Sequence, residues 1–151
     1  MNEVVFRGKR IDTGEWVEGY YVKAKDYLDG EYVHIILGLD TTVYPRCEFS
    51  SYEVIIPETV GQSTGLSDKN GNPIWEGDIV FDRYTKRPVK FGKHEIDCCG
   101  CCFSHHDAVG FYGDYGNDES VFSDEDTWDT YEVIGNVHDN PELLKGCKNN
   151  D

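Results

Sequence analysis

Positive charge is scarce in this chain. Fourteen Lys and Arg face 29 Asp and Glu, leaving a formal net charge of −15. A surface of that sign repels phosphate backbones, and phosphate contacts supply most sequence-independent nucleic-acid affinity. Direct nucleic-acid binding is therefore disfavoured. Long apolar runs are also missing. None approaches the roughly 20 residues of a membrane-spanning helix, and the opening MNEVVFRGKR holds no signal-peptide hydrophobic stretch. The expectation is a chain without a membrane span, working in a cytoplasm. There is no internal repeat, no low-complexity tract and no amphipathic helix of ordinary length. No Walker lysine loop, G-x-S-x-G or H-E-x-x-H motif occurs. The sequence thus names no catalytic residue and no resident cofactor, and an enzymatic role is disfavoured.

What is present describes a folded chain. Aromatics make up 13 % of the 151 residues, far from the aromatic-poor composition of disorder. A single domain of this length buries roughly two thirds of its unfolded surface. The acids are unevenly spread. Residues 94–151 carry 14 acids against 2 bases, whereas residues 61–93 carry 4 against 6. Arg83, Lys86, Arg87, Lys90 and Lys93 form the one basic strip where nucleic-acid contact is conceivable. Elsewhere the acidity reads as a solvated face, or as a surface that docks on a basic partner.

Short apolar runs closed by turn residues recur along the chain. They are Val4–Phe6, Trp16–Val22, Tyr32–Leu37, Tyr52–Ile56, Ile74–Trp75, Asp78–Phe81, Val89–Phe91, Val109–Tyr112 and Tyr131–Val137. Runs of strand length between Gly, Asn, Asp and Pro signals predict a mostly β domain, all-β to α+β. Asn70-Gly71 is the clearest turn, because Gly accepts positive φ and Asn tolerates it. Gly135 inside YEVIGNV predicts a bulge. Asn140-Pro141-Glu142 reads as the start of one short C-terminal helix, with Leu143 and Leu144 packed back onto the sheet. The expected architecture is a small, strongly bent, barrel-like sheet over about 60–145. A separate N-terminal β lobe over 1–56 packs on it, within one domain that ends in a short tail, 146–151. The stretch 113–130, rich in Gly, Asp, Asn and Ser, reads as a long loop. Its carboxylates lack the order of a calcium loop.

Four of the six cysteines fall within five residues: Cys98, Cys99, Cys101 and Cys102, followed by His105 and His106. A disulfide framework needs partners spread along the chain, so this crowding argues against one. Thiolate and imidazole are the ligands zinc prefers, which makes Cys98, Cys99, Cys101, Cys102, His105 and His106 the candidate metal ligands and zinc the candidate ion. Against this, structural zinc usually staples two separate parts of a chain. Small buried thiols and a thiol–disulfide pair are the other readings, and the residues alone leave the three open.

Three segments, FRGKRIDTGEWVEGYYV, PETVGQSTGLSDKNGNPIWEGDIV and YEVIGNVHDNPELL, cover about 55 of the 151 residues. Their order and spacing resemble the YopX-like family of phage and prophage proteins. The resemblance implies a small β-rich protein encoded by a bacteriophage or prophage and acting in the bacterial host cytoplasm. It implies no reaction. The Cys/His cluster lies in the family's variable middle region, so no family metal site carries onto it. Three roles follow as expectations. The first is a non-enzymatic accessory module that binds a host or phage macromolecule through its acidic surface. The second is a self-assembling, homo-oligomeric structural component. The third is a zinc-dependent enzyme using residues 98–106.

Overall fold

The computed structural model describes residues 3–42, 51–97, 105–114 and 130–145; residues 94–97 and 105–108 are described by backbone alone. Ten strands are arranged in antiparallel sheets: β1 (Phe6–Lys9), β2 (Trp16–Lys25), β3 (Tyr32–Leu37), β4 (Glu53–Val54), β5 (Gly61–Ser67), β6 (Pro73–Trp75), β7 (Asp78–Phe81), β8 (Lys86–Asp97), β9 (His105–Gly113) and β10 (Glu132–Asn136). The mostly β expectation is met. The chain divides into two compact units, Met1–Ser63 and Thr64–Asp151, with the boundary inside β5.

In the first unit the strand order is β4-β3-β2-β1-β5. The turn at Ile11–Thr13 closes through Gly14 N–H donating to the Arg10 carbonyl at 3.0 Å. Glycines at the centre of this sheet allow close packing. A Cβ on Gly19 would meet the Leu37 carbonyl oxygen at 2.0 Å, so only glycine lets β2 run this close to the end of β3. Ile36 and Ile55 are buried at 1 % and 2 % exposure. Thr59, in the short 3-10 turn Pro57–Thr59, accepts the Lys9 N–H at 2.9 Å and donates to the Ile56 carbonyl at 2.7 Å.

The second unit carries a four-stranded sheet in the order β10-β7-β8-β9. Its core is Ile74, Val80, Val89 and Tyr131, with Leu66, Phe111 and Val133 packed against it. The sheet does not close into a barrel. β9 and β10 occupy its opposite edges, so the barrel-like closure expected over 60–145 is not formed. The bulge falls where Gly135 predicts it, as the β10–β7 register shifts between Val133 and Gly135. A Cβ there would meet the Asn140 side-chain oxygen at 2.6 Å and Leu143 at 3.0 Å. The C-terminal helix is a single 3-10 turn, Pro141–Leu144, against which Gly135 sits. Asn140 does not cap it with its side chain; its Oδ1 accepts the Asn136 N–H at 3.4 Å instead. Leu143 and Leu144 are half-buried.

β8 is far longer than the Val89–Phe91 run suggests. It pairs with β7 only at Lys86–Pro88, then continues with β9 through nine pairs, from Val89↔Gly113 to Asp97↔His105. Beyond β7 the two strands form a ribbon. Phe91 and Phe111 meet on it at 4.9 Å, while Val109 is 73 % exposed.

Candidate functional site

Two carboxylates, Asp68 buried and Asp82 half-buried, organise turns of the second unit. Asp68 sits at the β5–β6 turn, where Gly71 takes φ +83° as the Asn70-Gly71 signal requires. Its Oδ1 accepts the N–H groups of Asn70 and Asn72, both at 2.8 Å. Its Oδ2 accepts the Asn72 side-chain amide at 3.1 Å and the Val133 N–H at 3.0 Å. Burial pushes its pKa up, but the bonds from Val133, Asn72 and Asn70 outweigh this and hold it below the usual carboxylate value.

The second carboxylate, Asp82, anchors the β7–β8 turn, in which Arg83 takes φ +81°. Asp82 accepts the Tyr84 and Thr85 N–H groups at 2.9 and 2.7 Å and pairs with Arg87 Nη2 at 2.7 Å. The Thr85 hydroxyl donates to Asp82 at 3.0 Å and accepts from Arg87 Nη2 and Nε at 2.7 and 3.0 Å. Arg87 Nη1 donates to the Tyr131 hydroxyl at 3.2 Å. Burial raises the Asp82 pKa, yet the Thr85 and Tyr84 bonds and the Arg87 charge leave it lowered. Burial raises the Tyr131 hydroxyl. Every member of this chain has a partner inside the fold, which is the signature of a structural network.

This arrangement corrects the basic strip. Arg87 is only 7 % exposed, facing inward with Val89. Lys86 and Lys90 lie on the opposite face of β8, and Lys90 pairs with Asp114, which raises its pKa. Sequence adjacency therefore does not make a continuous cationic surface.

The predicted metal ligands Cys98, Cys99, Cys101 and Cys102 lie outside the described residues. His105 and His106 open β9, their backbones paired with Asp97 and Ile96. Among the described residues no group of three or more His, Cys, Asp or Glu is placed to hold a metal ion. Among them, too, no helix is long and apolar enough to cross a membrane.

The first unit carries the most exposed large apolar side chains of the described surface, which the sequence reading passed over. The β2–β3 turn presents Tyr27 at 97 % and Leu28 at 90 % exposure, with Tyr32 at 60 % beside them. The turn is well tied. Asp26 Oδ1 accepts the Leu28 N–H at 2.7 Å, and Asp29 Oδ1 accepts the Glu31 N–H at 2.9 Å. Asp26 N–H donates to the Glu31 carbonyl at 2.7 Å, and Gly30 N–H to the Asp26 carbonyl at 3.1 Å. Asp29-Gly30, with Gly30 at φ +77°, was the available turn signal.

The family described as YopX protein matches residues 5–145. The chain belongs to the YopX family. That match spans both units and includes the Asp68 and Asp82 turns and the Tyr27-Leu28 turn. A crystal structure of protein EF1440 from Enterococcus faecalis is similar to this YopX-family chain at a TM-score of 0.50 and 24 % identity, over 95 % of this chain and 99 % of that one. At that identity the likeness concerns the fold. No curated protein matches the chain.

Proposed function

We propose that this YopX-family chain is a non-enzymatic accessory module of a bacteriophage or prophage, which binds a basic macromolecule in the host cytoplasm through its acidic surface. One observation carries the reading: among the described residues, four basic side chains pair with acids. Arg10 meets Asp12 at 2.8 Å and Glu53 at 3.2 Å, Lys69 meets Glu132 at 2.6 Å, Arg87 meets Asp82 at 2.7 Å, and Lys90 meets Asp114. Exposed carboxylates remain at Glu15, Glu18, Asp29, Glu31, Asp40 and Glu58. These exposed carboxylates, in a chain of net charge −15, support steering of a basic partner. The phage setting rests on the resemblance of the three sequence segments.

The test is affinity capture from bacterial lysate over a salt series, from about 50 to about 500 mM, a range that shortens the screening length severalfold. A defined partner released as salt rises is the expected result. A clean capture at every salt concentration overturns the reading.

Self-assembly is the second reading. β9 stands at a sheet edge, and its sequence HHDAVGFYG holds none of the Lys or Pro residues that blunt such edges. Light scattering that shows a strict monomer across concentrations removes it.

A further inference from the structure

The sheet of the second unit treats its two edges differently. The β10 edge is engaged from within the chain. There the Val133 N–H donates to Asp68 at 3.0 Å, and the Tyr131 carbonyl, just before β10, accepts the Lys69 N–H at 2.9 Å. The β9 edge meets no further strand among the described residues. A row of main-chain donors and acceptors along an edge is a template for another strand.

The ribbon geometry fixes which groups β9 offers. Asp114, just past its end, donates its N–H to the Pro88 carbonyl at 3.0 Å. Main-chain groups alternate sides along a strand, so Tyr112 and Gly110 also turn theirs toward β8. Gly113, Phe111, Val109, Asp107 and His105 then turn theirs outward. An apolar seam runs along one face of the same ribbon. Val89, Phe91, Phe111 and Val109 share that face, with exposure rising from 1 % at Val89 to 46 % at Phe91 and 73 % at Val109.

Two properties select a second copy as the occupant. The first is self-complementarity. Pairing β9 antiparallel with itself about Val109 sets Val109 opposite Val109, Phe111 opposite Asp107 and Gly113 opposite His105. Each outward N–H then meets an outward carbonyl, and the two Val109 side chains cover each other. Asp107, the one acid of β9, faces no acid across the pair. The second property is charge. Strands β8 and β9 together carry Lys86, Arg87, Lys90 and Lys93 against Glu95, Asp97 and Asp107, a net of +1 in a chain of −15. Repulsion between two acidic copies is thus not concentrated at this contact, and a basic segment finds no excess of acid on these strands.

We propose that β9 pairs antiparallel with β9 of a second copy about a two-fold axis at Val109, joining their two sheets into one. This rests on the self-assembly reading above and assigns it one contact and a closed dimer.

The experiment uses the full chain. Sedimentation equilibrium is run on wild type, Val109→Lys and Val109→Pro at about 50 and about 500 mM salt. Wild type should dimerise, and more tightly at the higher salt, because screening relieves repulsion between the copies. Release of a basic partner has the opposite salt dependence. Both variants should weaken the dimer by about tenfold or more: Lys sets like charges opposite each other at the axis, and Pro removes an outward N–H while sparing the bonds to β8. Circular dichroism checks that they fold. Hydrogen exchange on wild type needs no variant. The Val109 and Phe111 amides should exchange more slowly in concentrated than in dilute protein, with Gly110 and Tyr112 changing less.

A strict monomer at both salts overturns the proposal and the self-assembly reading together. A dimer that neither variant weakens, or one that leaves Val109 and Phe111 exchange unchanged, overturns the β9 contact while leaving self-assembly intact. Open-ended oligomers overturn the two-fold axis. Protection of the same amides by added bacterial lysate, and not by concentration, assigns the edge to a foreign strand and overturns the second copy.

Discussion

The Asp68 carboxylate accepts the Val133 N–H at 3.0 Å, joining the β5–β6 turn to β10 across 65 positions of sequence. The same carboxylate also holds its own turn through Asn70 and Asn72, so one buried group fixes a local and a distant element together. Replacing it with Ala leaves several N–H donors unanswered in a buried site. Asp68→Ala should cost about 3 kcal/mol in urea denaturation, since charged hydrogen bonds are worth about 1.5–3 kcal/mol and orphaned donors add to the loss. A loss below about 0.5 kcal/mol, the scale of an ordinary surface change, would show that the turn stands without it.

Acid should unfold this chain through the same groups. Asp68 and Asp82 both have folded pKa values below the usual carboxylate value. For a depressed pKa, the stabilisation is fully present above the unfolded value of about 4 and fades as pH falls through the folded value. Stability measured by denaturant should therefore drop below about pH 4. The drop should be shallower in Asp68→Asn, which is already destabilised near neutrality. Parallel pH profiles for the two chains would contradict this assignment.

Arg87 should not tolerate lysine. Its guanidinium reaches Asp82, Thr85 and Tyr131 through three nitrogens, a geometry one ammonium cannot copy. Arg87→Lys should lose roughly 2–3 kcal/mol, toward the lower end of what breaking a buried pair costs. Lys69→Ala, which removes a half-exposed pair with Glu132, should lose less than about 1 kcal/mol. Thermal melts of the two variants side by side test the ranking; equal shifts would refute it.

The two closest glycine approaches should differ in severity. At Gly19 the obstructing atom is a backbone carbonyl, at Gly135 it is the end of the Asn140 side chain with Leu143 behind it. Side chains can yield and a strand carbonyl cannot, so Gly19→Ala should be the more damaging, by about 1 kcal/mol or more. Comparable melting temperatures for the two would show that β2 and β3 can separate at little cost.

Elemental analysis of protein purified under reductant decides the Cys98–His106 cluster. About one zinc per chain, with a melting temperature lowered by chelator, assigns it to a metal, because binding energy at such a site is folding energy. Metal-free protein indifferent to chelator assigns it to ordinary thiols.

Much of the fold was legible because turn chemistry and apolar runs are local. Asp78–Phe81 and Tyr32–Leu37 form strands at the bounds their residues suggest, and Asn70-Gly71 and Gly135 take up their turn and bulge roles. Strands with little apolar content were not legible: β5 reads GQSTGLS, in which only Leu66 is a large apolar residue, and is held by its neighbours. β8 runs on through Lys, Gly and His because β9 pairs with it. Arg87 read as surface charge because its acceptors lie five positions back at Asp82 and 44 positions on at Tyr131. The Tyr27-Leu28 turn was hidden for the opposite reason. Apolar residues imply burial in a sequence, and only coordinates show them left outside.

The β8–β9 ribbon has a further consequence for local stability. β7 pairs with β8 at Lys86–Pro88, and on the ribbon Phe111 packs against the core while its neighbour Phe91 is 46 % exposed. A two-stranded hairpin alone is marginal in water. Amide protons should accordingly exchange fastest at Lys93 and outward, more slowly at Phe91, and at Val89 only when the whole unit opens. The ribbon then behaves as a separate, weaker cooperative segment attached to a firmer base.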